Sequence, residues 1–285
     1  MREDFCVFIL THGRPDNVVT YNTLRRSGYT GRIYLVVDDE DKTAQQYIDR
    51  YGDEVLRFCK ADIQAVMDDG DNFPHRRSVI YARNACWDLA RQVGAKVFVQ
   101  LDDDYSSFFY RYDENHEYAS IRIHSTMDQL LSSLCGFHED APVLTVALSQ
   151  GGDWLGGVSN SINGPALRRK AMNSFICSID RPFQFVGRMN DDVNTYVSIG
   201  HRGGLFFTVM AAMLSQAQTQ ASTGGLTELY LDYGTYVKSF YTVLYAPSCT
   251  QIGVMGDSKL RIHHKINWHN AVPVILNEKH RKGRP

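Results

Sequence analysis

Residues Lys96 to Phe109 read KVFVQLDDDYSSFF, an apolar run that breaks into three consecutive aspartates. Like charges crowded at a strand end repel one another, and each carboxylate needs water or a partner, so such an arrangement persists where something cationic sits against it. A divalent metal is the leading reading of this cluster. The alternative is a solvated turn, because aspartate is common after strands and caps helices well. Residues two apart on an extended segment project to the same side, so Asp102 and Asp104 can share a face while Asp103 points away or braces the loop.

Upstream of this stretch, Val79, Ala82, Cys86, Leu89, Ala90 and Val93 recur at helical spacing, and Gly94 closes that helix. Phe5 to Leu10 is a short apolar run followed by THGRP, and Arg32 to Val37 (RIYLVV) is another followed by DDED, with helix-compatible spacing over Asn17 to Ser27 between them. Strand and helix therefore alternate through the first hundred residues, which predicts a mostly parallel sheet covered by helices. Ligands of such sheets bind beyond the carboxyl ends of the strands. Three loops deliver polar groups to that edge, Thr11 to Arg14, Asp38 to Asp41, and Asp102 to Asp104, and together they predict one acidic crevice.

The chain has 285 residues, 44% hydrophobic and 22% charged, enough for one large domain or two small ones. No repeat, linker or low-complexity segment divides it, so one continuous domain is expected. A formal charge of -2 excludes a global basic field, and any contact with a polyanion must be local. The six cysteines form no CxxC pair and suit reduced core thiols, which fits a cytoplasmic protein. The Phe5 to Leu10 run is too short for a signal-peptide core, and Leu205 to Leu214 is interrupted by Thr208 and cannot span a bilayer, so no membrane association is expected. In the second half, Ser149 to Pro165 reads as a Gly- and Asn-rich loop around Trp154, Asn190 to Ile199 as a capped helix, Leu205 to Leu214 as a buried strand, and Asn277 to Pro285 as a polar, basic tail.

The ordered set from Phe5 to Asp104 resembles the GT-A glycosyltransferases, whose DxD motif follows a hydrophobic strand in this context. ILTHGRP is similar to their first nucleotide-binding strand and loop, which implies donor contacts from Thr11, His12, Gly13 and Arg14. Asp38 or Asp39 occupies the place of the acid that contacts the nucleoside. YARNACWDLARQVGAKVFVQLDDD resembles the Arg-Asn helix leading into DxD, so Arg83 is expected to meet the diphosphate or brace the loop. The same resemblance implies Mn2+ or Mg2+ on Asp102 and Asp104, with Asp104 favoured and Asp103 beside them in the donor site.

Two later motifs extend the likeness. GRMNDDVNTY (Gly187 to Tyr196) resembles the acidic acceptor-side motif, where Asp191 or Asp192 would be the general base of an inverting enzyme or orient the acceptor in a retaining one. Asp192 is the choice, because Asp191 can serve as a helix cap, and a plain N-cap is the alternative for the whole motif. KLRIHHKINWH (Lys259 to His269) matches the C-terminal histidine that often completes the metal shell of these enzymes. His263 and His264 point oppositely in a strand, and His264 is the choice, with solvated surface histidines as the alternative.

Among GT-A families the pattern most resembles the TET-associated glycosyltransferases of bacteriophages, linked to sugar transfer onto oxidised or hydroxymethylated pyrimidines in DNA. The resemblance implies an α/β, Rossmann-like, mostly parallel sheet flanked by helices, with a nucleotide-sugar half over 1–104, an acceptor half over 105–276 and a basic tail over 277–285. It further implies UDP-glucose as donor and DNA carrying a hydroxymethylated pyrimidine as acceptor. Arg168, Arg169 and Lys170, with Lys279, His280, Arg281, Lys282 and Arg284, are candidate phosphate contacts, though basic clusters also occur as plain solvated faces. Trp154, Phe108, Phe109 and Tyr110 are candidate stacking partners for an extruded base, with core packing as their other reading. Two enzymatic alternatives stand beside this one, a glycosyltransferase with a protein or glycan acceptor and a sugar nucleotidyltransferase. The latter usually carries a Gly-rich, basic loop after its first strand, and THGRPDN has a single glycine. A binding module without catalysis would not need both acidic clusters.

Overall fold

Three adjacent strands explain why the first hundred residues look so apolar. β1 (Phe5–Leu10) is buried along its whole length, between β2 (Arg32–Asp38) and β4 (Val97–Asp102), and pairs in parallel with both. Alternation along these strands feeds two cores. Phe5, Val7 and Ile9, with Leu35, Val37, Val99 and Leu101, face α1 (Val19–Arg26), α2 (Ala44–Tyr51) and α5 (Met127–Asp140). Cys6, Phe8, Leu10, Val36 and Phe98 face α4 (Ile80–Gln92) and α6 (Asp191–Gly200).

The computed structural model describes residues 1–154, 171–216, 226–234, 236–255 and 260–272. Its remaining elements are β3 (Val55–Phe58), α3 (Lys60–Gln64), β5 (Tyr105–Tyr112), β6 (Tyr118–Arg122), β7 (Thr145–Ser149), β8 (Ser174–Ser178), β9 (Phe206–Gln216), α7 (Leu226–Tyr233), α8 (Val237–Tyr245), β10 (Thr250–Met255), β11 (Arg261–Ile266) and α9 (Trp268–Ala271). One nine-stranded sheet runs in the order β3-β2-β1-β4-β8-β7-β9-β5-β6, and β10 pairs with β11 in a separate antiparallel hairpin. Only β5 and β8 oppose the common direction of the large sheet. The expected α/β architecture with a mostly parallel sheet is therefore what the chain adopts. Chain order reverses between β1 and β4, where Leu10 lies opposite Asp102, and such a switch point opens a crevice at the carboxyl ends of the strands.

The helix expected over Val79 to Val93 forms as α4, and Gly94 follows it at φ +68°, the left-handed conformation that a helix stop of this kind needs. The strand expected over Leu205 to Leu214 starts at Phe206 and continues to Gln216. All six cysteines are free, and all but Cys59 are buried. No helix among the described residues is long and apolar enough to cross a membrane.

The proposed stacking aromatics are corrected in part. Phe108 and Trp154 are buried, Trp154 beneath the Arg111 guanidinium and bonded through Nε1 to Ser149 Oγ at 3.1 Å, so neither presents a face to a ligand. Phe109 and Tyr110 are half-buried. Arg168, Arg169, Lys170, the 277–285 tail and most of the Gly/Asn loop lie outside the described residues.

Phe98 sits at the centre of the second core, fully buried, with its ring centroid 5.4 Å from Phe8 and 5.5 Å from Trp87. Truncation leaves a cavity that β1 and α4 cannot close without moving the site edge. Phe98→Ala is expected to cost about 3–5 kcal/mol, read as a lower urea midpoint at unchanged slope.

Candidate active site

The aspartate turn is fastened from the start of α1. Thr20 Oγ1 donates to the carbonyl of Asp102 at 2.6 Å and accepts from the Tyr105 amide at 2.9 Å, while the Thr20 amide donates to the Asp103 carbonyl at 3.0 Å. One residue thus holds both sides of a turn that charge repulsion would open. Asp103 is buried and takes the bracing role, accepting from Thr11 Oγ1 at 2.7 Å and pairing with Arg14 Nη1 at 3.2 Å. Asp102 and Asp104 are only partly buried and both line the crevice. Burial, and then the charges of Asp102 and Asp103, push the Asp104 carboxyl up to about 6.

The crevice holds about 460 Å³, within the range of small-molecule sites. Thr11, His12, Arg14 and Asp38 line it as expected from the first two loops. Asp38 is buried and fully engaged, with His12 Nδ1 at 2.7 Å and Lys60 Nζ at 2.9 Å. Burial works against its charge, and these two bonds more than offset that, so its carboxyl titrates below the usual range. Asp39 is exposed and accepts instead from the Lys60 amide at 2.9 Å, so the two candidate acids of this loop have separate roles. Gly13, at φ +71°, donates its amide to Asp41 Oδ2 at 2.7 Å and holds the loop closed rather than lining the crevice.

Arg83 joins the aspartate turn to the second acidic motif. Its side chain is 2% exposed, with Nη2 at 3.1 Å from Asp102 and Nε at 2.8 Å from Asp191, and its guanidinium lies 5.0 Å from the Phe175 ring centroid. Burial opposes its charge, but the two carboxylates outweigh that and hold it protonated. These contacts tie the aspartate turn to the start of α6.

The cap expected of Asp191 is corrected by the same contact. Asn190 occupies the N-cap position of α6 at φ +60°, with no side-chain cap bond, and Asp191 is the first helical residue. Burial pushes the Asp191 carboxyl up against the pull of Arg83. Asp192 is also buried, with Oδ1 accepting from the Val193 amide at 2.7 Å. His264 is buried beside this helix start, its Nδ1 at 3.1 Å from Asn190 Nδ2. No group of three or more His, Cys, Asp or Glu able to hold a metal ion forms among the described residues, so His264 is not brought together with Asp102 and Asp104.

Sequence reading missed Lys60 and the segment from Asp68 to Ser78, which supplies His75, Arg76 and Arg77 to the crevice wall. The run DDGDNFPHRRS, acidic and then basic, is the signal that could have found it.

Acids gathered at the switch point of an α/β sheet share one crevice with basic side chains, and the sequence places this arrangement among the glycosyltransferases. The model of the TET-associated glycosyltransferase family matches residues 5–225, and the chain belongs to that family. No curated protein matches the chain in sequence. Among solved structures it is similar to glucosyl-3-phosphoglycerate synthase from Mycobacterium tuberculosis in complex with Mg2+ and uridine diphosphate, at 10% identity over 92% of this chain and 87% of that chain, with a TM-score of 0.46. It is similar to residues 1–349 of S. aureus TarS in complex with UDP-GlcNAc, at 8% identity over 84% and 66% of the two chains, with a TM-score of 0.45. It is also similar to the mannosyltransferase PcManGT from Pyrobaculum calidifontis in complex with GDP-Man and Mn2+, at 12% identity over 85% and 73%, with a TM-score of 0.45.

The raised Asp104 carboxyl has a measurable consequence in metal-free protein. Its folded pKa exceeds the unfolded value of 3.8, so between pH 4 and 6 the native state binds more protons and its stability falls as pH rises through that window. Asp104→Asn removes this loss. Urea unfolding in chelator should show the variant equal to the wild type at pH 3.5 and more stable at pH 7.

Proposed function

We propose that this glycosyltransferase moves glucose from UDP-glucose to the hydroxymethyl group of a modified pyrimidine in DNA. The observation that supports a two-substrate reading is the Asp102–Arg83–Asp191 bridge, which sets an acceptor-side helix start directly against the wall of the donor crevice. The family match supports glycosyl transfer, and its association with DNA-base modification supports the acceptor.

Asp102 and Asp104 fit a hard divalent cation, Mn2+ or Mg2+. Both line the crevice, and the Asp104 carboxyl, raised by burial first and by the charges of Asp102 and Asp103 next, is one whose ionised form a bound cation would favour. When bound, the ion would neutralise charge on the departing diphosphate. His264, held beside Asn190 and apart from these two carboxylates, is left out of the proposed ligand set. His12, Arg14, Lys60, Arg76 and Arg77 place positive or hydrogen-bonding groups around the same space, suited to a nucleoside diphosphate. Asp191 is committed to Arg83, so the acceptor base is assigned to Asp192. In inverting transfer the acceptor oxygen bonds to the anomeric carbon, UDP leaves with the bonding pair, and Asp192 takes the hydroxyl proton.

The test is incubation with a panel of nucleotide sugars and manganese, with and without hydroxymethylcytosine DNA, reading free nucleoside diphosphate and label on the DNA. Label on DNA from UDP-glucose is the expected result, and turnover only with a glycan or protein acceptor would overturn the DNA assignment. Asp104→Asn should abolish both transfer and donor hydrolysis, because an amide supplies no anionic oxygen to the cation. Asp192→Asn should lower transfer by about a hundredfold or more while leaving donor hydrolysis largely intact, since water needs less activation by this group.

A further inference from the structure

Arg188 is fully buried and belongs to none of the roles above. Its Nη2 lies 3.1 Å from Asp69 Oδ2, its Nε lies 2.9 Å from Asp71 Oδ2, and Nη1 donates to the carbonyl of His75. Its backbone is tied to the same segment: the amides of Gly187 and Arg188 donate to the carbonyls of Asp68 and Asp69 at 2.9 and 2.8 Å, and Ser78 Oγ donates to the Arg188 carbonyl at 2.7 Å. The stretch from Asp68 to Ser78 is therefore held at both ends and in the middle by Arg188 and the glycine before it. Pro74, His75, Arg76, Arg77 and Ser78 of this stretch line the same crevice as the aspartates.

A second layer supports the clamp. Tyr81 Oη donates to Asp69 Oδ1 at 3.1 Å, Tyr241 Oη donates to Asp71, and Phe73 stacks on Tyr233 with centroids 4.2 Å apart. Tyr233 and Tyr241 lie past residue 225, beyond the part of the chain that the family match covers. Three charges with so little water are tolerated only because each satisfies the others. A conformationally loose loop carrying the sequence PHRRS would present its cationic groups over a range of positions, and the entropy of fixing them would be charged to ligand binding.

We infer that Arg188 is a positioning residue for the donor: it fixes the 68–78 segment so that the His75–Ser78 wall is preformed for a nucleoside diphosphate. The inference rests on the donor reading above. Because Arg188 sits three residues before Asp191 and four before Asp192, the same clamp also sets the donor wall and the acceptor acids in one frame.

Two variants of the full chain test it. Arg188→Lys keeps the charge but cannot reach Asp69, Asp71 and the His75 carbonyl together, and Tyr241→Phe removes only the hydroxyl on Asp71 and so keeps the test open if the lysine variant does not fold. Uridine diphosphate and UDP-glucose binding by calorimetry, with KM and kcat for donor hydrolysis, should show donor affinity weakened by about tenfold in Arg188→Lys and a few-fold in Tyr241→Phe, with kcat at saturating donor within about twofold of wild type. A purely structural role would lower the thermal midpoint and leave donor affinity of the folded protein unchanged, and that result would overturn the inference. Wild-type protein that binds no nucleoside diphosphate would overturn the donor reading and this inference with it, whereas binding wild type with unaffected variants overturns this inference alone.

Discussion

A guanidinium shut away from water ties this molecule together. Arg83 lies between Asp102, at the carboxyl end of a central strand, and Asp191, at the start of a helix nearly ninety residues further along the chain. Removing one member of such a buried group leaves uncompensated charge at a cost of about 3–5 kcal/mol, so the two acidic motifs cannot drift apart without the protein losing much of its stability. Phe175 and Phe185 cover the guanidinium and keep solvent from weakening the attraction.

The aspartate turn shows how a fold retains repulsion at a place of use. Asp103 pairs with Arg14 and accepts from the Thr11 hydroxyl, though burial still outweighs both and raises its carboxyl, and Thr20 closes the turn by three bonds. Asp102 answers Arg83, so the burden of burial and repulsion falls most on Asp104, which lines the crevice. Strain of this kind persists because the surrounding contacts over-determine the turn.

The C-terminal part of the chain completes the site from outside. Asn190, left-handed at the start of α6, donates to Thr242 Oγ1 at 3.0 Å and meets His264, while Thr242 Oγ1 donates to Asn194 Oδ1 at 2.9 Å. α8 is thereby packed on the start of α6 through one set of residues and on the 68–78 segment through Tyr241 and Tyr245. Gly187 is where these parts come closest: at φ +80°, a Cβ there would meet Asn194 and Tyr245 at 2.3 and 2.6 Å.

Local patterns determined the parallel core and three of its loops, because a strand buried on both faces must be apolar throughout and its polar ends then stand out. Phe5 to Leu10, Arg32 to Val37 and Lys96 to Leu101 were legible for that reason, each within a residue of the strand that forms, as was the placement of Thr11, Arg14, Asp38 and the aspartates at one edge. Pairings across long separations were not legible. Whether Asp191 caps its own helix or answers Arg83, whether His264 meets aspartates or Asn190, and whether Trp154 faces a ligand or Arg111 all depend on which distant segment arrives beside them. Lys60 and Arg188 escaped notice for the same cause: a buried cation looks like a surface cation in sequence, and only the tertiary structure shows that Asp38, Asp69 and Asp71 surround them and make burial tolerable.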